Sequence, residues 1–341
     1  TDDYPTFIAR WHNERVPAKI DTAYYVVDSS CVVPMNRMEK REYAAYTIRP
    51  KIRRLLPQYL RPVEPLHVER KFRGPVPEFH VAVRSADIPA VVASCEIDHS
   101  VKPSPDYRGG SVAAQHRLKA FLEHRLRRYA RERNEPTRHA TSGLSPYLHF
   151  GHVSSLDVAL QAKSYAEENG LIADEFLEEL IVRRELAFNH AKFTDDPASL
   201  DTLPDWVRKT MDRHAKDPRD PRYDRDQLER WATYDPLWNA TQRELLIRGT
   251  IHGYYRMYWG KKIVEWAPSY QDAVDWMNYF HDRFSLDGRD PNTYTNVLWC
   301  LGLHDRPWAE RPIFGQIRYM SYEGMRRKTD VQGYIDEIER L

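Results

Sequence analysis

A stretch near the middle of the second half of the chain combines a cation, two indoles and a glycine on one predicted helix face. Residues 251–266 (IHGYYRMYWGKKIVEW) contain no proline and favour a single amphipathic helix. At about 100° per residue, one side of that helix carries Arg256, Trp259, Gly260, Ile263 and Trp266. A guanidinium and two flat rings suit contact with a planar, charged ligand, and the glycine permits close approach. A core helix whose arginine pairs with a carboxylate is the alternative.

A second stretch, residues 141–151 (TSGLSPYLHFG), offers hydroxyls and backbone N–H groups just before a predicted helix. Groups of this kind at a helix start suit a phosphate or a diphosphate. Ser145 followed by Pro146 is also the ordinary signature of a helix N-cap with proline in the first turn. By chemistry alone the cap is the commoner arrangement, and both interpretations remain open.

Two further sets of charged residues have open interpretations. Glu179 and Arg183 are four residues apart in FLEELIVRREL, where an intrahelical ion pair is the ordinary explanation and a polar ligand edge the other. Asp287, Asp290 and Asn292 surround a Gly-Arg turn and predict a helix cap, a metal site or a partner for the arginine of the aromatic helix. A calcium loop would need more oxygen ligands in alternation and a terminal glutamate.

Composition limits the class of protein. The 341 residues include nine tryptophans and carry a net charge of +1, so a nucleic-acid site must come from local clusters of charge. One cluster spans residues 108–138, where nine basic residues face three acidic ones; a solvated helix face is the alternative to a polyanion surface. Three widely spaced cysteines suggest reducing cytosol rather than disulfides or a zinc site. We expect no metal, no signal peptide and no membrane span.

The predicted elements divide the chain into three parts. Residues 23–27 (AYYVV) favour a buried strand, residues 32–34 extend again, and residues 38–59 favour a basic helix interrupted at Pro50. Residues 60–107 are rich in proline and predict an extended connector. From residue 111 the pattern is almost wholly helical, and the helices predicted after the first one are 154–169, 173–192, 206–215, 226–231, 241–248, 251–266, 270–284 and 293–301.

Six motifs in this order resemble one family. They are TSGLSPYLHFG, EELIVRREL, DPLWNA, RMYWGKKIVEW, LDGRDPN and HDRPWAERPIFGQIRYM, and together they resemble the flavin domain of photolyases and cryptochromes. The details RMYW…EW and GRDPN…LHD…W…ERPIFG resemble class II cyclobutane pyrimidine dimer photolyases. The resemblance implies a mainly α fold. In it, a helical FAD-binding domain (109–341) follows a long Pro-rich connector (61–108) and the remnant of a Rossmann-like α/β antenna domain (1–60).

The resemblance implies FAD as cofactor, with reduced FADH⁻ as the active form. By motif position, its phosphate side would contact Tyr129, Thr141, Ser142, Gly143, Leu144 and Ser145. Glu179 and Arg183 would flank the adenine and the substrate pocket, and Arg256 would lie over the isoalloxazine. The following turn would bring further polar groups close to the ring: Asp287, Asp290 and Asn292. Where class II relatives are expected to place an asparagine near flavin N5, this chain has His281, whose imidazole can titrate.

The implied reaction is light-driven repair of DNA. An electron passes from excited FADH⁻ to a flipped-out pyrimidine dimer, the ring splits and the electron returns. The dimer pocket would be lined by Glu179, Met257 and Trp299. A relay that reduces oxidised flavin from the surface would consist of Trp259, Trp238 and Trp266, with Tyr223 as a side branch. DNA contacts would come from the tail residues Arg311, Arg318, Arg326 and Lys328, although a solvated helix face explains the last two equally well.

The enzyme implied is a deoxyribodipyrimidine photolyase, a carbon–carbon lyase acting as a monomer on damaged DNA. It would be cytoplasmic, or nuclear if eukaryotic. Because most of the α/β domain is missing from the sequence, we do not expect an antenna chromophore. A cryptochrome-like photoreceptor that signals through a protein partner is the alternative, and the set Glu179, Met257 and Trp299 favours repair. A third hypothesis is a flavin-binding fragment that requires a complementing chain, marked by exposed apolar surface.

Overall fold

A computed structural model describes residues 1–64 and 67–341; Pro65 and Leu66 of the predicted connector lie outside the described residues. The α-helices are, in chain order, α1 (Phe7–Arg15), α2 (Ala45–Tyr59), α3 (Ile88–Ala93), α4 (Ser111–His124), α5 (Leu126–Glu132), α6 (Ser145–His149), α7 (Ser155–Glu168), α8 (Asp174–Leu177), α9 (Arg184–Lys192), α10 (Asp205–His214), α11 (Arg225–Glu229), α12 (Pro236–Arg248), α13 (Gly253–Trp266), α14 (Tyr270–Phe284), α15 (Pro291–Trp299), α16 (Tyr322–Arg326) and α17 (Val331–Glu339). A π-helical turn, Glu178–Arg183, joins α8 to α9. The prediction of a mainly α protein is confirmed.

The described chain forms two compact units. The first comprises residues 1–61 and 104–341 and contains every candidate site residue. The second comprises residues 62–103 and includes α3, an element that the connector prediction did not contain.

The buried strand predicted at residues 23–27 is wrong. Within the described ranges there are only isolated β-bridges, one of them between Asp2 and Val27, and Tyr25 is 76% exposed. The side chains of AYYVV favour strands, but no neighbouring segment offers a ladder, and a single strand is not stable without a partner. The described residues therefore lack the sheet of the expected antenna remnant.

Residues 32–42, which follow this segment, are held by buried polar side chains of α9 rather than by a sheet. Glu185 is completely buried and accepts hydrogen bonds from the backbone N–H of Val32 at 2.7 Å and of Val33 at 3.1 Å. Asn189 accepts the N–H of Glu42 at 2.6 Å. Burial raises the pKa of Glu185 to about 8, although both hydrogen bonds act against this rise. The helix predicted from residue 38 consequently begins only after this anchored segment, as α2.

Two clusters of buried apolar side chains flank the site. One surrounds α12, α13 and α14 and includes Trp238, Trp259 and Trp266, whereas the other joins α2, α4, α7 and α9. Helix α13 occupies most of the predicted span. Gly260 allows it to approach the end of α15, because an added Cβ would lie 2.5 Å from the Cys300 sulfur.

Candidate functional site

Arg256 of α13 pairs with Asp287 in the turn after α14. The guanidinium donates to Asp287 Oδ1 at 3.2 Å, and the Ser285 hydroxyl donates to the same oxygen at 2.6 Å. Burial opposes the charge on Asp287, but Arg256 and the hydrogen bonds outweigh it and hold the pKa of this carboxyl well below its usual range. Gly288 lets the turn pack against α14, since a Cβ there would lie 2.4 Å from the His281 carbonyl oxygen. Of the open interpretations of this turn, the structure shows two: Asp287 is the partner for the arginine, and Asp290 is a helix cap.

Arg256 lines two cavities, and Asp287 lines the first of them. The first has a volume of about 640 Å³, within the range of ligand pockets, and the predicted residues that line it are Tyr129, Thr141, Ser142, Gly143, Leu144, Ser145, Glu179, Arg256, Asp287, Asp290 and Asn292. The second has a volume of about 530 Å³, and the predicted residues that line it are Tyr129, Thr141, Glu179, Arg183, Arg256, Met257, Trp259, His281, Asn292, Trp299 and Arg318. Sequence segments more than 100 residues apart thus surround one continuous region.

The loop before α6 does not use Ser145 as an N-cap. Helix α6 starts at Ser145, its cap position is Leu144, and no side chain caps it. The Ser145 hydroxyl instead helps to lower the pKa of the Asp287 carboxyl. Gly143 has a φ of +66°, which favours glycine, and a Cβ at this residue would meet the Arg117 guanidinium at 3.1 Å. The loop therefore lies directly against an arginine that the sequence analysis did not select.

Two arginines at one end of the first cavity were missed as site residues. Arg117 and Arg125 donate to backbone oxygens, of Asp106 at 2.8 Å and of Thr141 at 3.1 Å, and neither forms a salt bridge within the described residues. Burial and then the neighbouring Arg117 lower the pKa of Arg125. Two guanidiniums without a carboxylate form a site that an anion would stabilise. In the sequence, the only indication that the two arginines lie near each other was their spacing of eight residues.

Glu179 and Arg183 do not form the intrahelical pair that their spacing suggests. Both lie in the π-helical turn, which changes the usual i, i+4 neighbours. Glu179 pairs with Arg133 at 2.7 Å, and the Arg183 guanidinium carbon lies 5.8 Å from the centre of the Trp299 ring. The turn thus exposes both side chains to the cavities, and Arg133 is a further lining residue that sequence reasoning missed.

Asp290 acts as a helix cap. Its Oδ1 accepts the backbone N–H and the side-chain amide of Asn292, both at 2.8 Å, at the start of α15. Its Oδ2 accepts the Tyr4 hydroxyl at 2.7 Å and lies 3.4 Å from His149 Nδ1. Burial first and then the charge of Asp290 raise the pKa of Tyr4, so its hydroxyl remains a donor. A residue near the start of the chain therefore supports Asp290, which lines the first cavity, although no local signal indicated this contact.

His281 is buried beside Trp259 in the second cavity. The two ring centres are 5.0 Å apart, and the imidazole Nδ1 has no hydrogen-bond partner within the described residues. Burial and then Arg256 lower the pKa of His281 to about 3. The imidazole is therefore neutral at physiological pH.

The three tryptophans of the predicted relay form a buried chain. Trp238 Nε1 donates to the Trp259 carbonyl oxygen at 3.0 Å, and the rings of Trp238 and Trp266 are 5.4 Å apart. Trp259 reaches the second cavity, whereas the other two do not line either cavity. Tyr223, the predicted side branch, lies with its ring 5.2 Å from that of Trp266.

The predicted DNA-binding residues are divided between two places. Arg318 lines the second cavity and lies 4.8 Å from the centre of the Trp308 ring. Arg311 lies 5.3 Å from the centre of the Tyr319 ring. Arg326 pairs with Glu323 at 3.3 Å, and Lys328 is exposed; neither lines a cavity.

The described ranges lack two other kinds of feature. They contain no helix that could cross a membrane. Nor do they contain a cluster of three or more His, Cys, Asp or Glu side chains arranged to hold a metal ion.

Solved structures identify the fold. A class III photolyase from Agrobacterium tumefaciens is similar over 99% of this chain and 67% of its own, with a TM-score of 0.69 and 16% identity. A cryptochrome from Synechocystis is similar over 100% of this chain and 78% of its own, with a TM-score of 0.59 and 14% identity. The chain thus has the fold shared by photolyases and cryptochromes, and the paired cavities lie within it.

Sequence comparison identifies the family more closely. No protein-family model matches the chain. The deoxyribodipyrimidine photolyase of Methanothermobacter thermautotrophicus is 42% identical over 318 residues, which cover 92% of this chain and 68% of that protein. The chain belongs to the deoxyribodipyrimidine photolyase family, and the resemblance drawn from the six motifs is confirmed.

Proposed function

We propose that the protein repairs cyclobutane pyrimidine dimers in DNA under light, with FAD in the first cavity and a flipped-out dimer in the second. The observation that carries the proposal is the position of Arg256, which lines both cavities and is fixed by Asp287. A cation at this boundary stabilises an anionic ring on one side while the substrate lies on the other.

The lining residues fit a flavin dinucleotide. Arg117 and Arg125 supply the charge for its diphosphate, and the hydroxyl of Ser142 lies on the same side of the cavity. Nε of Arg256 and Nδ1 of His281 are buried and have no hydrogen-bond partner in the described part of the chain, as expected of atoms that a ligand completes. When bound and reduced to FADH⁻, the flavin would supply on excitation the electron that splits the dimer, and would take it back.

The second cavity supports a dimer as substrate. Met257 and Trp299 provide apolar surfaces for the faces of two stacked bases, and Glu179 and Arg183 provide polar groups for their edges. Flipping brings the damaged step out of the duplex, where unstacking costs less than at an intact step. Arg318 at the rim and the exposed Arg311 would contact the phosphates, with Arg326 and Lys328 further out.

The tryptophan chain supports reduction of the flavin by electrons from outside. Trp259 lines the second cavity, and Trp238 and Trp266 continue from it through contacts between buried groups. We assign the chain to class II on its motifs, with FADH⁻ as the active form and a monomer as the working unit. The compartment would be the cytoplasm, or the nucleus in a eukaryote. The dimer-lining set Glu179, Met257 and Trp299 favours this proposal over a cryptochrome-like photoreceptor.

The decisive experiment uses purified protein with its flavin photoreduced. An oligonucleotide with one thymine dimer is added, and restored thymines are measured under blue light and in darkness. Restoration only in the light supports the proposal. A bound, photoreducible flavin without restoration would favour the signalling alternative, and absence of bound flavin would overturn both.

A further inference from the structure

The proposed relay ends inside the protein rather than at its surface. Trp266 is 0% exposed, and its Nε1 has no hydrogen-bond partner within the described residues. A radical cation on this indole would be a buried charge, and no described residue accepts a hydrogen bond from its Nε1. Because an unpaired buried charge is costly, the oxidised site is expected to move on to a neighbouring ring that can release a proton.

Two tyrosines contact Trp266. The Tyr223 ring lies 5.2 Å and the Tyr234 ring 5.7 Å from the indole, so both are within reach of electron transfer. They differ in exposure: Tyr234 is 59% exposed, whereas Tyr223 is only partly exposed. The Tyr223 hydroxyl also accepts the backbone N–H of Tyr234 at 3.0 Å, which fixes the two rings relative to each other.

Lys262 orients the phenol of Tyr234. Its buried ammonium donates a long hydrogen bond of 3.4 Å to the phenol oxygen, which leaves the phenol's own hydrogen free to point to solvent. Glu265 pairs with the same ammonium at 2.9 Å, and Asp235 lies 3.9 Å from it. These carboxylates offset the charge of Lys262, so it acts on Tyr234 through the hydrogen bond. The bond persists once the phenolic proton has left.

We propose that Tyr234 is the surface terminus of the relay, so that electrons enter at Tyr234 and pass through Trp266, Trp238 and Trp259. This inference rests on the proposed function, in which light-excited oxidised flavin is the oxidant. One electron passes from Tyr234 to the Trp266 radical cation, and the phenolic proton passes to bulk water. Trp266 is restored and a neutral tyrosyl radical remains, which a thiol in solution reduces by giving one electron and one proton.

The test follows protein radicals by transient absorption and electron paramagnetic resonance after a flash on the flavin-loaded protein. In the unsubstituted protein, the last radical formed after the flash is expected to be a tyrosyl radical. In Tyr234→Phe a tryptophanyl radical should remain and be lost at least about tenfold faster, which corresponds to a barrier lower by about 1.4 kcal/mol. Tyr46→Phe, which changes a tyrosine of similar exposure (63%) that has no ring contact with the relay in the described part of the chain, is the matched control and should behave like the unsubstituted protein.

A second readout needs no flavin. Flavin-free protein is oxidised in solution with a ruthenium tris-bipyridyl photo-oxidant and persulfate, and spin-trap adducts are located by mass spectrometry. We expect a spin-trap adduct on Tyr234, and the yield of this adduct should be the same in Trp266→Phe. In the flash experiment, by contrast, Trp266→Phe should lose the tyrosyl radical. A flash that leaves a tryptophanyl radical in the unchanged chain, or a tyrosyl radical in Tyr234→Phe, overturns this inference alone. A flash that produces no protein radical in any variant overturns the relay of the proposed function and the inference with it.

Discussion

The cavity walls and the tryptophan chain differ in whether their buried nitrogen atoms have hydrogen-bond partners. Around the cavities, Arg183 Nε, Arg256 Nε and His281 Nδ1 are buried without hydrogen-bond partners within the described residues. In the tryptophan chain, Trp238 Nε1 donates to a carbonyl oxygen at 3.0 Å and Trp259 Nε1 to Gln242 at 2.8 Å. The first region is therefore incomplete without a ligand, and the second fixes the geometry of its inner rings by itself. Loss of a side chain should consequently affect binding in one region and electron transfer in the other.

The largest effect is expected from Arg256→Ala. The change leaves Asp287 buried without its cation, and breaking a buried pair costs about 3–5 kcal/mol. If that cost falls on binding, flavin affinity drops by about 100-fold or more. Flavin fluorescence during titration measures the affinity. The control is Arg128→Ala, which breaks an intrahelical pair with Glu132 at 3.1 Å outside both cavities. Equal flavin affinity in the two variants would show that the Arg256–Asp287 pair does not contribute to flavin binding.

Acidification should destabilise the fold through four buried histidines. Burial lowers the pKa of His190 and His252 to about 4 and that of His281 and His304 to about 3. In the unfolded chain each titrates near about 6.5, so below that pH the unfolded state binds more protons. The histidines' contribution to stability is therefore fully present above that pH and is lost as the pH falls toward their folded-state pKa values, by at most about 1.4 kcal/mol per pH unit for each histidine.

Urea unfolding at a series of pH values measures this dependence. Replacing His304 by Asn should reduce the slope, and replacing the exposed His116 by Asn should leave it unchanged. A free energy of unfolding that stays constant between pH 7 and pH 5, about the interval where linkage predicts loss, would contradict the neutral state of the buried imidazoles.

Trp238→Phe should have a smaller effect on stability but a specific effect on the relay. The smaller ring leaves a void and removes the hydrogen bond to the Trp259 carbonyl, at a cost of about 1–3 kcal/mol. Photoreduction of oxidised flavin should slow strongly, whereas repair by chemically pre-reduced protein should be unchanged. Trp206→Phe, a partly buried indole beside the same apolar cluster, serves as the control. Photoreduction at the original rate in Trp238→Phe would exclude this tryptophan from the relay.

The smallest effect on stability is expected from Glu179→Gln. Its pair with Arg133 is about one-third exposed on both sides, and such a pair contributes at most about 1 kcal/mol. Repair per bound dimer should nevertheless fall, because the carboxylate lines the cavity proposed for the dimer, while flavin affinity is retained. Glu178→Gln changes the neighbouring carboxylate, which pairs with Arg49 at 2.7 Å and lines neither cavity. If both variants repair at the same rate, Glu179 has no role in the pocket.

Local patterns predicted the elements better than they predicted the contacts between them. The spacing in α13 correctly indicated a helix, because periodicity is a property of a single segment, and Arg256 of this helix lines both cavities. The π-helical turn at Glu179 and Arg183 was not predictable from an i, i+4 spacing that fits an ordinary helix equally well. The strand predicted at residues 23–27 failed since strand formation depends on a partner that the local sequence does not specify.

The missed site residues depend on distant contacts. Tyr4 reaches Asp290 across 286 residues of sequence, and Arg117 meets Gly143 only because two separate loops converge. The role of a buried polar side chain depends on its hydrogen-bond partner. Residue spacing within one segment does not identify a partner that lies in a distant segment of the sequence. The family motifs brought together most of the cavity lining, whereas the cationic end and the contact from Tyr4 required the structure.

That contact from Tyr4 has a mechanical consequence. Asp3 is tied to Lys192 at 2.5 Å, and Tyr4 is tied to Asp290, which in turn fixes the start of α15. Tension applied to the chain ahead of these residues would be transmitted to the cavity wall without unfolding any helix. If a protein domain were fused ahead of Asp3, the stiffness of the linker would determine how much force reaches Asp290 in the wall of the first cavity.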